Sequence, residues 1–161
     1  MIESLLPILR LNGLRVSVIK HAHHGFDIDR AGKDSFRHRE AGATEVMLAS
    51  AERWALLHEN RTAGDDDRPE PKLTELVKRM EAVELIIAEG FRTQPVDKIE
   101  VFRPSLGLEL WAQQDKQVIA VATDEPNDPA MQGLDRTILP LNDPDTIAEF
   151  VMKLHNKPFS V

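Results

Sequence analysis

Apolar and polar positions along the 161-residue chain change period several times, and each change marks an element. Ile2, Leu5, Leu6, Ile8 and Leu9 fall on one helical stripe, and Asn12-Gly13 supplies its stop. Pro7 stands inside this stretch. Proline lacks an N–H and costs an interior helix about 3 kcal/mol, so the helix is expected to begin near Pro7 or to kink there. Residues 14–19 are apolar on both faces, as in a strand buried between helix layers, and Lys20 and His21 end it. Asp34 is the expected cap of a helix through residues 36–41, with Gly42 at the position just past its end.

Residues 44–49 and 53–58 read as two strands around the turn Ser50-Ala51-Glu52, an antiparallel hairpin. Residues 60–71 are polar and acidic around Asp65-Asp66-Asp67 and read as a mobile surface loop, not a metal site. Leu73, Leu76, Val77 and Met80 give a further helix, and residues 85–88 form a short apolar strand that ends in Glu89-Gly90. Residues 99–102 and 118–122 are two more strands. Asp143-Pro144 opens a last helix, with a capping side chain and a proline at the first position, and Ile147, Phe150, Val151 and Leu154 form its apolar stripe. Strands alternating with helices predict a doubly wound α/β fold in a single domain.

Composition narrows the function. A formal charge of −7 and a pI near 5.4 leave no surplus of Lys and Arg to displace counterions from a phosphate backbone, so no nucleic-acid partner is expected. Cysteine is absent, which removes disulfides and thiolate metal sites and fits the cytoplasm. No apolar run reaches the length of a membrane span, and the N-terminal stretch reads as a helix, not a signal sequence.

Chemistry concentrates between the first strand and the following helix, where His21, His23, His24, Asp27, Asp29, Arg30, Lys33, Asp34 and Ser35 crowd one loop. Loops at the carboxyl ends of strands are where α/β proteins hold phosphates and metals. In an extended conformation Asp27 and Asp29 share a face and can point at a cation or nucleotide. Lys33, Asp34 and Ser35 sit at a helix start, where backbone N–H groups attract anions; the plainer reading makes Asp34 a cap and Lys33 a solvated cation. His21-Ala22-His23 matches the start of the HxHxDH pattern of binuclear metal hydrolases, but Gly25 and Phe26 stand where that pattern needs Asp and His. Glu89-Gly90 brings a carboxylate to the sheet edge, with a surface or capping carboxylate as the alternative. Trp54 and Trp111 are expected to pack.

Four stretches resemble one family. IKHAHHGFDIDRAGKDSFRHREAGA, LASAERWALLHE, LIIAEGFRTQPVDKIEVFR and VIAVATDEP, spread over nearly the whole chain, are similar to the molybdopterin-guanine dinucleotide biosynthesis adapter proteins, small P-loop GTP-binding proteins. The family opens with a strand and a Gly-x-x-x-x-Gly-Lys-Ser/Thr loop, and roughly twenty residues carrying that motif are expected to be absent here, by a late start or a true truncation. The resemblance implies a P-loop NTPase-like, mostly parallel sheet with an antiparallel hairpin. It also implies GTP and Mg2+ as cofactors, a homodimer, and the molybdenum cofactor guanylyltransferase and apo-molybdoenzymes as partners. In this likeness Glu89 is the catalytic residue and shares the metal with Asp29. Lys20, Asp27, Asp29, Lys33, Asp34, Ser35, Gly90, Thr123 and Asp124 bind the nucleotide, and residues 22–35 act as a switch loop. Asp124 can accept from guanine N1 and N2, a pairing adenine does not offer; the alternative is a turn into Glu125-Pro126. A nucleotide-independent interaction module is the second reading and a His/Asp metal hydrolase the third.

Overall fold

The computed structural model describes residues 1–22, 25–61 and 71–155. His23, His24 and the Asp65-Asp66-Asp67 loop lie outside the described residues. The chain divides into two compact units, one of Met1–His21 with Lys72–Val161, the other of Ala22–Pro71.

In the first unit α1 (Ile2–Leu11) precedes β1 (Val16–Lys20), and α3 (Leu73–Val77) precedes β4 (Leu85–Glu89). β5 (Lys98–Phe102), β6 (Val118–Thr123) and β7 (Thr137–Pro140) follow, and α4 (Pro144–His155) comes last. Short 3-10 turns occupy Pro104–Leu106, Trp111–Gln113 and Pro129–Met131. The second unit holds α2 (Asp34–Glu40) and the hairpin of β2 (Glu45–Ala49) and β3 (Trp54–His58).

Parallel ladders organise the first unit. β1 pairs with β4 from Val16↔Leu85 to Lys20↔Glu89, and β6 runs between β5 and β7, parallel to both. Parallel strands need cover on both faces, and β6 has it. Ala120 and Ala122 face a cluster with Leu5, Leu9, Leu139, Ile147 and Ala148, against which Val16, Leu85, Ile87 and Ile99 also pack. Val121 faces the opposite cluster of Phe102, Leu110, Ala112 and Met131.

Several sequence expectations are met and several are revised. α1 begins at Ile2, not near Pro7, and Pro7 lies inside it. The backbone bond that Pro7 cannot donate is outweighed by burial of Leu5 and Leu9, at 3% and 0% exposure. Gly13, at φ 86°, closes the helix as expected. The cap of α2 is Lys33, through its backbone; Asp34 is the first helical residue, and its carboxylate pairs with Arg37 one turn on. At α4 the expected cap is present: Asp143 Oδ1 accepts from the Thr146 N–H at 3.1 Å and Oδ2 from the Thr146 hydroxyl at 2.7 Å. Trp54 does not pack. It is 65% exposed, because a two-stranded hairpin has two faces and α2 covers only part of one. β7 escaped the sequence reading, since four residues with the single apolar pair Ile138-Leu139 fall below what alternation can signal.

Ile147 is wholly buried between α4 and β6. Ile147→Ala is expected to lower unfolding stability by about 2–5 kcal/mol in urea melts; a loss under about 1 kcal/mol would mean that α4 does not close this core.

Candidate functional site

Polar side chains collect at the carboxyl ends of the parallel strands of the first unit. Lys20 ends β1, Glu89 ends β4, and Thr123 ends β6 with Asp124 directly after it. Lys20 Nζ lies 3.3 Å from Glu89 Oε1, an exposed pair in register across the β1–β4 ladder, whose contribution to stability is small. Glu89 Oε2 has no hydrogen-bond partner among the described residues. Gly90 has φ 86°, and a Cβ there would stand 3.2 Å from the His21 Cβ and 3.3 Å from its carbonyl oxygen. The glycine is therefore required by the chain's own backbone, since the His21 N–H donates to the Glu89 carbonyl at 2.8 Å.

At β6 the two expected ligands divide. Thr123 is 1% exposed and its hydroxyl accepts from the Glu125 N–H at 3.1 Å, so Thr123 makes the turn into Glu125-Pro126. Asp124 is left for other work: Oδ2 pairs with the Arg103 guanidinium, while Oδ1 is buried and has no hydrogen-bond partner among the described residues. A buried acceptor left unmet costs about 1–3 kcal/mol.

The other candidates belong to the second unit, where Arg39 gathers them. Its Nη2 donates to both Asp27 oxygens at 3.0 Å, its Nε to Asp29 Oδ2 at 3.3 Å, and its Nη1 to Glu59 Oε1, just past β3, at 2.9 Å. The Asp29 side chain is 6% exposed. Its Oδ1 accepts from the Ser35 hydroxyl and the Arg30 N–H, each at 2.8 Å, so both Asp29 oxygens are engaged within the protein. Lys33 and Asp34 are exposed at the start of α2.

These bonds set the carboxyl acidities. The Asp29 N–H, then Arg39, hold Asp27 below the usual carboxylate range. For Asp29 burial acts first and pushes the group up, but Ser35, Arg30 N–H and Arg39 together outweigh it, and the net direction is down. Arg39 itself is raised, by Glu59 first and Asp27 second. No group of three or more His, Asp or Glu able to hold a metal occurs among the described residues, and no helix there is long and apolar enough to cross a membrane.

Comparison with known proteins identifies this frame. A family model described as "Molybdopterin guanine dinucleotide synthesis protein B" matches residues 1–124. The chain belongs to that family. It is 38% identical over 162 residues to the molybdopterin-guanine dinucleotide biosynthesis adapter protein of Escherichia coli (strain K12), covering 98% of this chain and 86% of that protein. It is 38% identical over 154 residues to the protein of the same name from Haemophilus influenzae, covering 94% of this chain and 79% of that one. A crystal structure of molybdopterin-guanine biosynthesis protein B superposes with a TM-score of 0.66 at 26% identity, over 95% of this chain and 89% of the other. The fold is accordingly the P-loop NTPase-like α/β fold of that family, with parallel sheets and an antiparallel hairpin.

Sequence reading missed three arginines: Arg39, Arg103 and Arg92. Each sits at an ordinary charged position, and only the folded chain brings Arg39 to Asp27, Asp29 and Glu59, or Arg103 to Asp124. Because Asp27 and Asp29 are depressed in the folded state, their stabilisation is fully present above the ordinary carboxylate pKa, about 4, and disappears as pH falls through their lower folded values. Protection against hydrogen exchange at the Asp29 and Arg30 amides, relative to their intrinsic rates, is expected to fall on acidification below about pH 4, and Arg39→Ala to produce the same opening at neutral pH. Unchanged exchange in that variant would remove Arg39 as the organiser of the loop.

Proposed function

We propose that this protein is an adapter in molybdopterin guanine dinucleotide synthesis. It works in the cytoplasm beside the molybdenum cofactor guanylyltransferase, with apo-molybdoenzymes as further partners, and the strand ends of its first unit recognise a guanine nucleotide with Mg2+. The observation that carries the adapter reading is kinship along almost the whole chain: 38% identity over 98% of it to a protein of that name.

Asp124 supports the guanine part. A carboxylate oxygen without a donor, held beside Arg103 at the end of a buried strand, suits an N–H donor such as guanine N1–H, where adenine N1 offers only an acceptor. Mg2+ binds through one or two carboxylates plus phosphate oxygens and water, so Glu89, with one oxygen uncommitted, is an adequate protein donor. Lys20 and Gly90 would lie beside that ion. Within the second unit, Ser35, Arg30 and Arg39 fill the oxygens of Asp29, and breaking those bonds would free the switch segment over residues 22–35 that also carries Asp27, Lys33, Asp34 and Ser35. When bound, Mg2+ would supply charge for the phosphates. Glu89 would hold the ion's water shell and act as the residue on which weak hydrolysis depends, and Asp124 would orient the base.

An adapter also needs a surface for another protein. On one hairpin face Met47 opposes Leu56 and Ala49 opposes Trp54, and Met47, Leu56 and Trp54 are 61%, 40% and 65% exposed. Exposed apolar groups so grouped favour contact with a partner, the guanylyltransferase or a second copy in a homodimer.

No Gly-x-x-x-x-Gly-Lys-Ser/Thr run occurs in these 161 residues, and such a run supplies most phosphate contacts in P-loop proteins. The 161-residue chain is therefore expected to show no GTP binding at micromolar concentration; a tight, Mg2+-dependent calorimetric isotherm would overturn this. At millimolar ligand, saturation-transfer NMR should still favour guanosine over adenosine, and Asp124→Asn should abolish the preference; an unaltered ratio would leave Asp124 only as a partner of Arg103.

The adapter role is tested by sedimentation of the chain with the guanylyltransferase. A complex is expected, weakened at least about thirtyfold by Trp54→Asp, in line with the loss of an aromatic hot spot. Absence of any complex would sink the adapter reading. A complex indifferent to Trp54 would move the docking surface elsewhere.

A further inference from the structure

We propose that Arg92, laid on the face of the Trp111 indole, is an anion-binding fork for the phosphate group of a small-molecule ligand. This inference is independent of guanine recognition at Asp124 and of the metal role of Glu89. The Arg92 guanidinium carbon lies 3.6 Å from the centroid of the Trp111 ring, a separation that only a face-on approach allows.

Both halves of the stack are held. The Trp111 N–H donates to Glu100 Oε1 at 2.8 Å and the Ala112 N–H to Oε2 at 2.7 Å. The indole Nε1–H reaches Asp115 Oδ2 at 3.2 Å, and Asp115 is fixed in turn by Lys98 Nζ at 3.0 Å and the Gln117 N–H at 2.9 Å. On the other side, Gly90 sits against His21 where a Cβ would be crowded at 3.2 Å, and the Phe91 ring lies 5.3 Å from the His21 ring. The Arg92 N–H donates to the Gly90 carbonyl at 2.8 Å. The turn that carries Arg92 therefore has little freedom, and the ordering entropy of a flexible arginine is largely spent before any ligand arrives.

What the stack leaves open is the edge of the guanidinium. Arg92 is exposed and its guanidinium has no hydrogen bond or ion pair among the described residues, in a chain with 27 acidic and 20 basic residues. The carboxylates around its platform do not answer it: Glu100 is taken by two backbone N–H groups, and Asp115 by Trp111, Lys98 and Gln117. A flat guanidinium with free N–H groups matches two oxygens of an oxyanion at once. Phosphate is favoured over carboxylate because it brings a third oxygen and up to twice the charge to a single, solvent-exposed cation. A nucleoside polyphosphate and a phosphate monoester share this chemistry.

The chain contains two tryptophans, so Trp54→Phe leaves Trp111 as a fluorescent reporter under Arg92. At constant ionic strength, pyrophosphate should change its emission saturably in the millimolar range, and 31P line broadening should give the same affinity without using the indole. Arg92→Ala should weaken binding about ten- to hundredfold, as expected for removing a charged hydrogen-bonding partner. Arg92→Lys should fall between, keeping the charge without the fork. Asp124→Asn should leave pyrophosphate binding unchanged, which separates this site from the guanine reading. Parallel titrations with GTP and with phenyl phosphate, the tighter of the two naming the source, complete the test. No saturable response, a response retained in Arg92→Ala, or an equal response to glutarate would each overturn the proposal.

Discussion

Covering β6 on both faces is the constraint from which the first unit follows. A parallel strand whose residues are nearly all buried cannot expose its backbone or its side chains, so it needs a neighbour on each edge and an apolar layer above and below. β5 and β7 supply the edges, α1 and α4 one layer, and the turns carrying Leu110, Ala112 and Met131 the other. Several charged residues emerge beyond the carboxyl ends of the strands. Lys20, Glu89 and Asp124 all stand there, each the consequence of where an apolar run stops.

The second unit rests on a different kind of interaction. It has little apolar core: α2 holds no buried residue, and most of the hairpin is exposed. In place of a core, a 13%-exposed guanidinium collects three carboxylates from two separate segments. Such an arrangement depends on every partner being charged and present, and it opens more readily than a packed interior. The first unit is thus held by burial and the second by charge.

The two tryptophans show the same division. Trp111 packs half-buried against the cluster of Phe102, Leu110 and Met131, with its indole N–H on Asp115 and Arg92 over its ring, whereas Trp54 projects from the hairpin into solvent. Identical residues, indistinguishable by composition, are placed in opposite roles by whether a second layer of structure lies over them.

The signals legible in the chain alone are local or periodic. Apolar stripes marked α1 and α4, two-sided apolar runs marked β1, β4 and β6, Asp143-Pro144 and Asn12-Gly13 marked helix ends, and Ser50-Ala51-Glu52 marked the hairpin turn, because each signal is written within a few residues. Family membership was legible for the same reason, in contiguous motifs. How α1 accommodates Pro7 was not, because the burial of Leu5 and Leu9 that outweighs it is tertiary. Only the tertiary structure decided that Arg39 joins Asp27, Asp29 and Glu59, that Arg103 takes one oxygen of Asp124 and leaves the other, that Thr123 turns inward, and that Arg92 meets Trp111. Those partners lie up to twenty-one residues apart in the hydrogen-bonded pairs, and no periodic pattern spans them. The choice among many possible charge partners is made by the chain's packing, which positions the backbones before the side chains meet.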